Sequence, residues 1–136
     1  MNSITVIRPV VIKAIVTEAF KEGYKRELQE ALRSVEDLIG RIDSQIRRME
    51  LERQITPQSR AVRQQLELER SRQEALRAEL QDRLREAERL ELATEFPHGT
   101  VDALVEVQVG DNLFRKPART EIVVKDGIVM EIRDGG

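Results

Sequence analysis

The sequence predicts an α+β fold: a long antiparallel coiled-coil helical hairpin inserted in a small antiparallel β-sheet or barrel module. Three observations predict it. Near both chain ends apolar residues alternate with period two, the spacing of a pleated strand with one buried face. Between those ends they recur every three or four positions, in two stretches separated by Thr56-Pro57. The four prolines, Pro9, Pro57, Pro97 and Pro117, fall where the period changes. The organisation that follows is a discontinuous β module, residues 1–17 and 97–136, around a hairpin at 18–96.

The first element is a strand. Residues 4–17 read ITVIRPVVIKAIVT, with Val10, Ile12, Ala14 and Val16 on one face. β-branched side chains lose few rotamers on a pleated surface. Pro9 cannot donate to a ladder, so it predicts an edge or a bulge between two short strands.

From Glu18 the period becomes helical, through Phe20, Tyr24, Leu28, Ala31, Val35, Leu38, Ile42, Ile46 and Met49. Thr17 stands where an N-cap belongs, its hydroxyl placed to accept from a first-turn amide. The stripe stops near Gln54. Thr56-Pro57 restarts a helix, Thr as cap and Pro at the first helical position. Val62, Leu66, Leu76, Leu80, Leu84, Ala87 and Leu90 form the second stripe. Folding back at Gln54–Pro57 sets Met49 beside Val62, Ile46 beside Leu66, Val35 beside Leu76, Ala31 beside Leu80, Leu28 beside Leu84 and Tyr24 beside Ala87. Only the middle is polar, where Ile42 and Leu38 meet Glu69 and Gln73. Each arm is about 36 residues and roughly 54 Å long. On the outer faces Glu22/Arg26, Asp37/Arg41, Asp43/Arg47 and Glu79/Arg83 stand at i,i+4, a spacing that supports an exposed helix without defining a site.

Past Pro97-His98-Gly99, which reads as a bend, strand spacing returns. Val101, Ala103, Val105, Val107 and Val109 share one face, and Gly110-Asp111 breaks the run. A polar bend follows at Lys116-Pro117. EIVVK and IVMEI then flank Asp126-Gly127, the pairing of apolar runs and turn residues that signals a β-hairpin. Gly135-Gly136 reads as a frayed end. The module has only about 60 residues, near the size where a single core is marginal, and its unpaired edges invite a second copy.

Composition narrows the function. With 23 Lys+Arg against 25 Asp+Glu, no strong global field steers nucleic acid or acidic lipid. The absence of Cys excludes disulfides, thiol nucleophiles and Cys-ligated metals, and a single His excludes a two-His zinc site. Arg8 and Lys13 interrupt the one apolar stretch near the start, so neither a signal peptide nor a membrane helix is expected. The expectation is a soluble cytoplasmic protein with no membrane partner. His98 lacks an oriented partner in sequence and reads as a turn residue. Gly110-Asp111 and Asp126-Gly127 lack the spacing of a cation loop, and the seven glycines never cluster before a helix as phosphate loops require. Phe20 and Tyr24 at i,i+4 read as packing residues. No catalytic, cofactor-binding or metal-ligating residue is expected. At the hairpin tip, Arg47, Arg48, Arg53, Arg60 and Arg63 outnumber Glu50 and Glu52, and are the candidate nucleic-acid contacts. No aromatic residue lies among them to stack a base.

RPVVIKAIVTEAFK, VDALVEVQVGD and EIVVKDGIVMEIRDG together resemble the YlqD-like family of uncharacterised bacterial proteins. The matched pieces cover some 40 of the residues, and the helical stretch between them is similar in type more than in letters. Asn112-Leu113-Phe114 stands where the family carries an aromatic residue, often Trp. The resemblance implies a bacterial cytosolic protein, in some genomes encoded near ribosomal and RNA-modifying genes. It brings no catalytic residues.

Three functions are then in view, none enzymatic in kind. The first is a homo-oligomeric interaction or scaffold protein whose β module assembles and whose partner protein is unknown. The second is an RNA- or ribosome-associated factor using the arginine tip. The third is a small prefoldin-like holdase, an analogy of architecture alone. An enzyme is not expected, because the titratable groups lie on solvated helix faces with no convergent pocket.

Overall fold

The computed structural model describes residues 1–52, 54–114 and 120–133. In chain order the elements are β1 (Ser3–Ile15), α1 (Glu18–Glu50), α2 (Pro57–Glu88), β2 (Glu95–Gln108), β3 (Glu121–Lys125) and β4 (Ile128–Arg133). The class is α+β. The chain divides into two compact units, Met1–Lys21 with Leu90–Gly136, and Glu22–Arg89. The bend expected at Lys116-Pro117, the end at Gly135-Gly136 and Arg53 of the tip lie outside the described residues.

The strands form one open, four-stranded sheet in the order β2-β1-β3-β4. It is mixed, which corrects the antiparallel sheet or barrel expected from sequence. β1 pairs antiparallel with β2 from Ser3↔Gln108 to Ile15↔Glu95, yet parallel with β3 over Val11–Ala14. An alternating pattern states which face a strand buries and is silent on its neighbour's direction. β1 also runs unbroken through Pro9, where two short strands were expected. At Pro9 the strand ladders only with β2, opposite Asp102, so the missing N–H leaves no ladder bond unmade on the β3 side. The register shift falls instead between Ile12 and Lys13, opposite His98. The second correction follows from it. Pro97-His98-Gly99 is not a bend but part of edge strand β2, which tolerates Pro97 and takes up the extra residue as a bulge.

Asp126 and Gly127 turn β3 into β4 with φ of 49° and 81°. Only a residue that tolerates the left-handed region closes so short a turn. Thr17 links this turn to the start of α1. Its hydroxyl donates to Asp126 Oδ1 at 2.7 Å and accepts from the Phe20 amide at 3.0 Å, the expected N-cap bond. Among the described residues of this unit, Val10, Ala14, Val16 and Val123 are buried.

In the other unit α1 and α2 pack side by side. Leu28, Val35 and Ile39 of α1 bury against Leu80 and Ala87 of α2, with Tyr24, Leu32 and Leu84 partly buried around them. Glu50 pairs with Arg63 at 3.0 Å and Asp43 with Arg70 at 2.6 Å. Partners that run back along α2 as they run forward along α1 make the helices antiparallel. Thr56 caps α2 reciprocally with Ser59, and Pro57 opens it, as the sequence predicts.

The packing stripe departs from expectation by one residue. Val62 and Leu76 stand 48% and 40% exposed, while Arg63 and Arg77 are half-buried in their place. On α1, Ala31 is exposed and Leu32 packs, and Ile39 is buried where Leu38 is only half so. The inward positions of α2 are Arg63, Leu66, Arg70, Gln73, Arg77, Leu80, Leu84 and Ala87, alternating steps of three and four. An arginine stem covers apolar surface while its head reaches water or a carboxylate, so a leucine count alone misplaces the stripe. The outer-face pairs are also redistributed. Glu79 meets Arg83, but Glu22 pairs with Lys25, and Asp43 reaches across to Arg70 rather than to Arg47.

Candidate interaction surfaces

Two places carry chemistry that the fold does not consume, one in each unit. The first is the turn between α1 and α2. Arg47 and Arg48 lie in the last turn of α1, where cations complement the helix dipole. Arg60 lies in the first turn of α2. These three are exposed and have no ion-pair partner among the described residues. Arg63 differs. Its Nη2 donates to Glu50 at 3.0 Å and its Nε to Glu67 at 3.2 Å, so it braces the helix pair. The structure thus brings four of the five sequence-selected arginines to one end of the helix pair and removes one of them from the available set. Leu51 and Ile55 stand there 84% and 70% exposed, beside an open cavity of about 300 Å³ lined by Met49, Ile55, Ser59 and Arg60 among others. The sequence reading missed these two, although an aliphatic residue at each side of a six-residue turn is itself a signal.

Farther along the same pair, Arg70 binds Asp43 and also Glu74 at 3.2 Å. The hydrogen bond that Arg70 donates to Asp43 is the main cause that raises the Arg70 pKa above its ordinary value. The group is solvated, so this is a contact of alignment more than of strength.

The second place is the sheet. From Ser3 to Val10, β1 pairs with β2 alone among the described residues, making a two-stranded ribbon. Its alternation is as predicted: Ile4, Val6 and Val10 lie level with Val107, Val105 and Val101 on one face. On the other face the pairs Ser3↔Gln108, Thr5↔Glu106 and Pro9↔Asp102 surround one aliphatic cross-strand pair, Ile7↔Leu104, exposed to 66% and 75%. Asp102 and Glu106 flank Leu104 on that face, and neither has an ion-pair partner among the described residues. At the far edge, Ile128, Val129, Met130 and Ile132 of β4 are each more than half exposed.

A charged cluster joins β4 to the rest of its sheet. Arg133 Nη1 donates to Glu95 Oε2 at 2.9 Å, its Nη2 donates to Glu95 Oε1, and it also meets Glu131 at 3.1 Å. Lys13 meets Glu121 at 3.1 Å. The Arg133 hydrogen bonds hold the Glu95 carboxyl below its ordinary value, and Glu95 with Glu131 raises Arg133.

His98 stands edge-on to Phe20, ring centroids 5.1 Å apart, and Phe20 also meets Phe96 at 5.8 Å. Phe20 therefore packs on a strand, as expected, while Tyr24 joins the helix-pair core. No group of three or more potential metal-ligating residues occurs among the described residues. No helix among them is long and apolar enough to cross a membrane.

Comparison with known proteins follows the same outline. The YlqD protein family matches residues 4–133. The Bacillus subtilis (strain 168) protein named Uncharacterized protein YlqD is 27% identical over 128 residues, 94% of this chain and 97% of its own. A crystal structure of a protein of unknown function from Synechococcus sp. WH 8102 superposes with a TM-score of 0.82. It is 23% identical and covers 96% of this chain and 95% of its own. That likeness establishes the fold.

Proposed function

The chain belongs to the YlqD protein family, and from that premise we propose that it is a non-enzymatic, cytoplasmic interaction protein that works as a homo-oligomer. In this reading α1 and α2 form a coiled-coil hairpin whose inward positions follow the alternating three–four spacing. One observation carries the proposal: eight large apolar strand residues, Ile4, Ile7, Val101, Leu104, Ile128, Val129, Met130 and Ile132, stand between 43% and 75% exposed in a lone chain. Single exposed leucines need no explanation, but a sheet that wets this much aliphatic surface on neighbouring strands does. A two-stranded ribbon is marginal by itself in water. A second copy that covers these residues removes both difficulties and gives the closed symmetry usual in such assemblies. Light scattering at micromolar concentration is then expected to return a multiple of 15.7 kDa. A monomer, with far-ultraviolet dichroism showing the helices intact, overturns the proposal.

Arg47, Arg48 and Arg60 favour a second reading, association with RNA or the ribosome through backbone phosphates. Three guanidiniums predict binding that weakens steeply with salt and has little sequence preference. The neighbouring Leu51 and Ile55 offer no ring on which a base could stack.

A further inference from the structure

We propose that the α1–α2 turn of one copy docks on the β1–β2 ribbon of a second copy, Leu51 and Ile55 against Ile7 and Leu104. Arg47, Arg48 and Arg60 then stand opposite Asp102 and Glu106. The inference rests on the homo-oligomer reading and names what covers one part of the exposed sheet.

The two surfaces are chemical complements. Each offers a pair of largely exposed aliphatic side chains: 84% and 70% at the turn, 66% and 75% on the ribbon. Among the side chains that have no ion-pair partner among the described residues, the turn rims its pair with a positive excess, Arg47, Arg48 and Arg60 against Glu52, and the ribbon rims its pair with the negative Asp102 and Glu106. Electrostatics then selects the arrangement. Two ribbons meeting through this patch would set Asp102 and Glu106 against their own copies, and two turns would set two net-positive surfaces against each other, with one Glu52 on each to offset three arginines. Like charges juxtaposed across an interface are costly, so both self-pairings are disfavoured and the cross-pairing is left. The scale also fits. Four residues along a strand separate Asp102 from Glu106 by about 13 Å, and two packed helices have axes about 8–10 Å apart. A turn of that width can present arginines to both carboxylates while its apolar centre covers Leu104. Aliphatic residues at the centre of a basic surface fit a protein face better than a nucleic acid, whose bases need rings or groove contacts.

The chain has no cysteine, so two introduced thiols report the contact. Ile55→Cys and Leu104→Cys replace exposed side chains, are prepared separately, and are mixed under mild oxidation with one of them tagged. The expected product is the mixed disulfide, in clear excess over either self-linked dimer. Its rate of formation is expected to fall about tenfold when Arg48→Glu and Arg60→Glu are added to the Ile55→Cys chain. It should recover when Asp102→Lys and Glu106→Lys are added to the Leu104→Cys chain. Rescue by reversed charge is a readout that a folding defect does not produce. A self-linked Leu104→Cys dimer without the mixed product overturns this docking and leaves the homo-oligomer standing. A multimeric mass with no cross-link does the same. A labelled RNA retained by the turn, lost on arginine reversal and accompanied by no mixed disulfide, assigns the surface to nucleic acid and overturns the docking. A monomeric wild-type mass overturns both readings.

Discussion

Leu80 and Arg72 sit two turns apart on α2 and separate packing from solvation. Leu80 is 7% exposed within the cluster that joins the two helices. Leu80→Asp places a carboxylate in the apolar cluster of Leu28, Val35, Ile39 and Ala87, and is expected to destabilise the protein by about 3 kcal/mol or more. The Arg72 side chain is 67% exposed, with only a 3.7 Å contact to Glu69, so Arg72→Ala should cost under about 0.5 kcal/mol. Urea denaturation of the two variants checks both. Equal effects would put the packing stripe on the wrong face. Glu95 gives a pH prediction. Its folded pKa lies below the ordinary 4.5 because Arg133 hydrogen-bonds the charged form. Such a group contributes stability that is fully present above its unfolded pKa and is lost as pH falls through the folded one. Glu95→Gln should therefore be less stable than the parent at pH 7. The difference should close between the ordinary carboxylate value and the lower folded value. A difference that persists once the carboxyl is protonated in both folded and unfolded chains would mean that the contact is steric and not ionic.

At the scale of elements, sequence and structure agree where a local rule decides and part where a partner decides. Thr17, Thr56 and Pro57 are legible because a cap and a fixed φ act within one turn of chain. The β3–β4 turn is legible because positive φ at Asp126-Gly127 selects its own residues. The parallel β1–β3 pairing is not, since Val11–Ala14 read alike beside a strand of either direction. The half-buried arginines escaped for a related reason: only the carboxylates of the neighbouring helix show that Arg63 and Arg70 belong inward. For the candidate surfaces, the turn arginines were legible from charge alone. The acid-flanked Ile7–Leu104 pair needed the register of two distant strands. The antiparallel helix pair itself predicts distances. Spin labels at Met49 and Val62 should lie within about 15 Å, and labels at Met49 and Leu84 beyond about 30 Å. A single helix running through Pro57 would separate the first pair by about 20 Å instead, and that result would remove the turn and the surface built on it.

The whole chain poses a problem of order. The sheet is made from segments far apart in sequence, as the bond between Thr17 and Asp126 shows with a separation of 109 residues. Joining such ends from an open chain costs conformational entropy that a small sheet core returns poorly. The helix pair has no such difficulty. Its helices form from local bonds, Thr56-Pro57 sets the turn, and the closing contacts are near in sequence at the Glu50–Arg63 end, where the separation is only 13. Once α1 and α2 associate, the chain length still free between β1 and β2 shrinks to the few residues that flank the helices. The bonds Val16 N to Thr94 O and Ala93 N to Val16 O, both 2.8 Å, can then start the β1–β2 ladder from its helix-proximal end. The helix pair is therefore expected to form first and the sheet to follow. Ile39→Ala, at a position 6% exposed between the helices, should slow folding with a φ-value of about 0.5 or more. Val123→Ala, 2% exposed in β3, should mainly speed unfolding with a φ-value below about 0.3. Stopped-flow chevrons measured at concentrations low enough to separate folding from association decide between this order and its reverse. High φ at Val123 with low φ at Ile39 would mean that the sheet nucleates the molecule despite the span it must close.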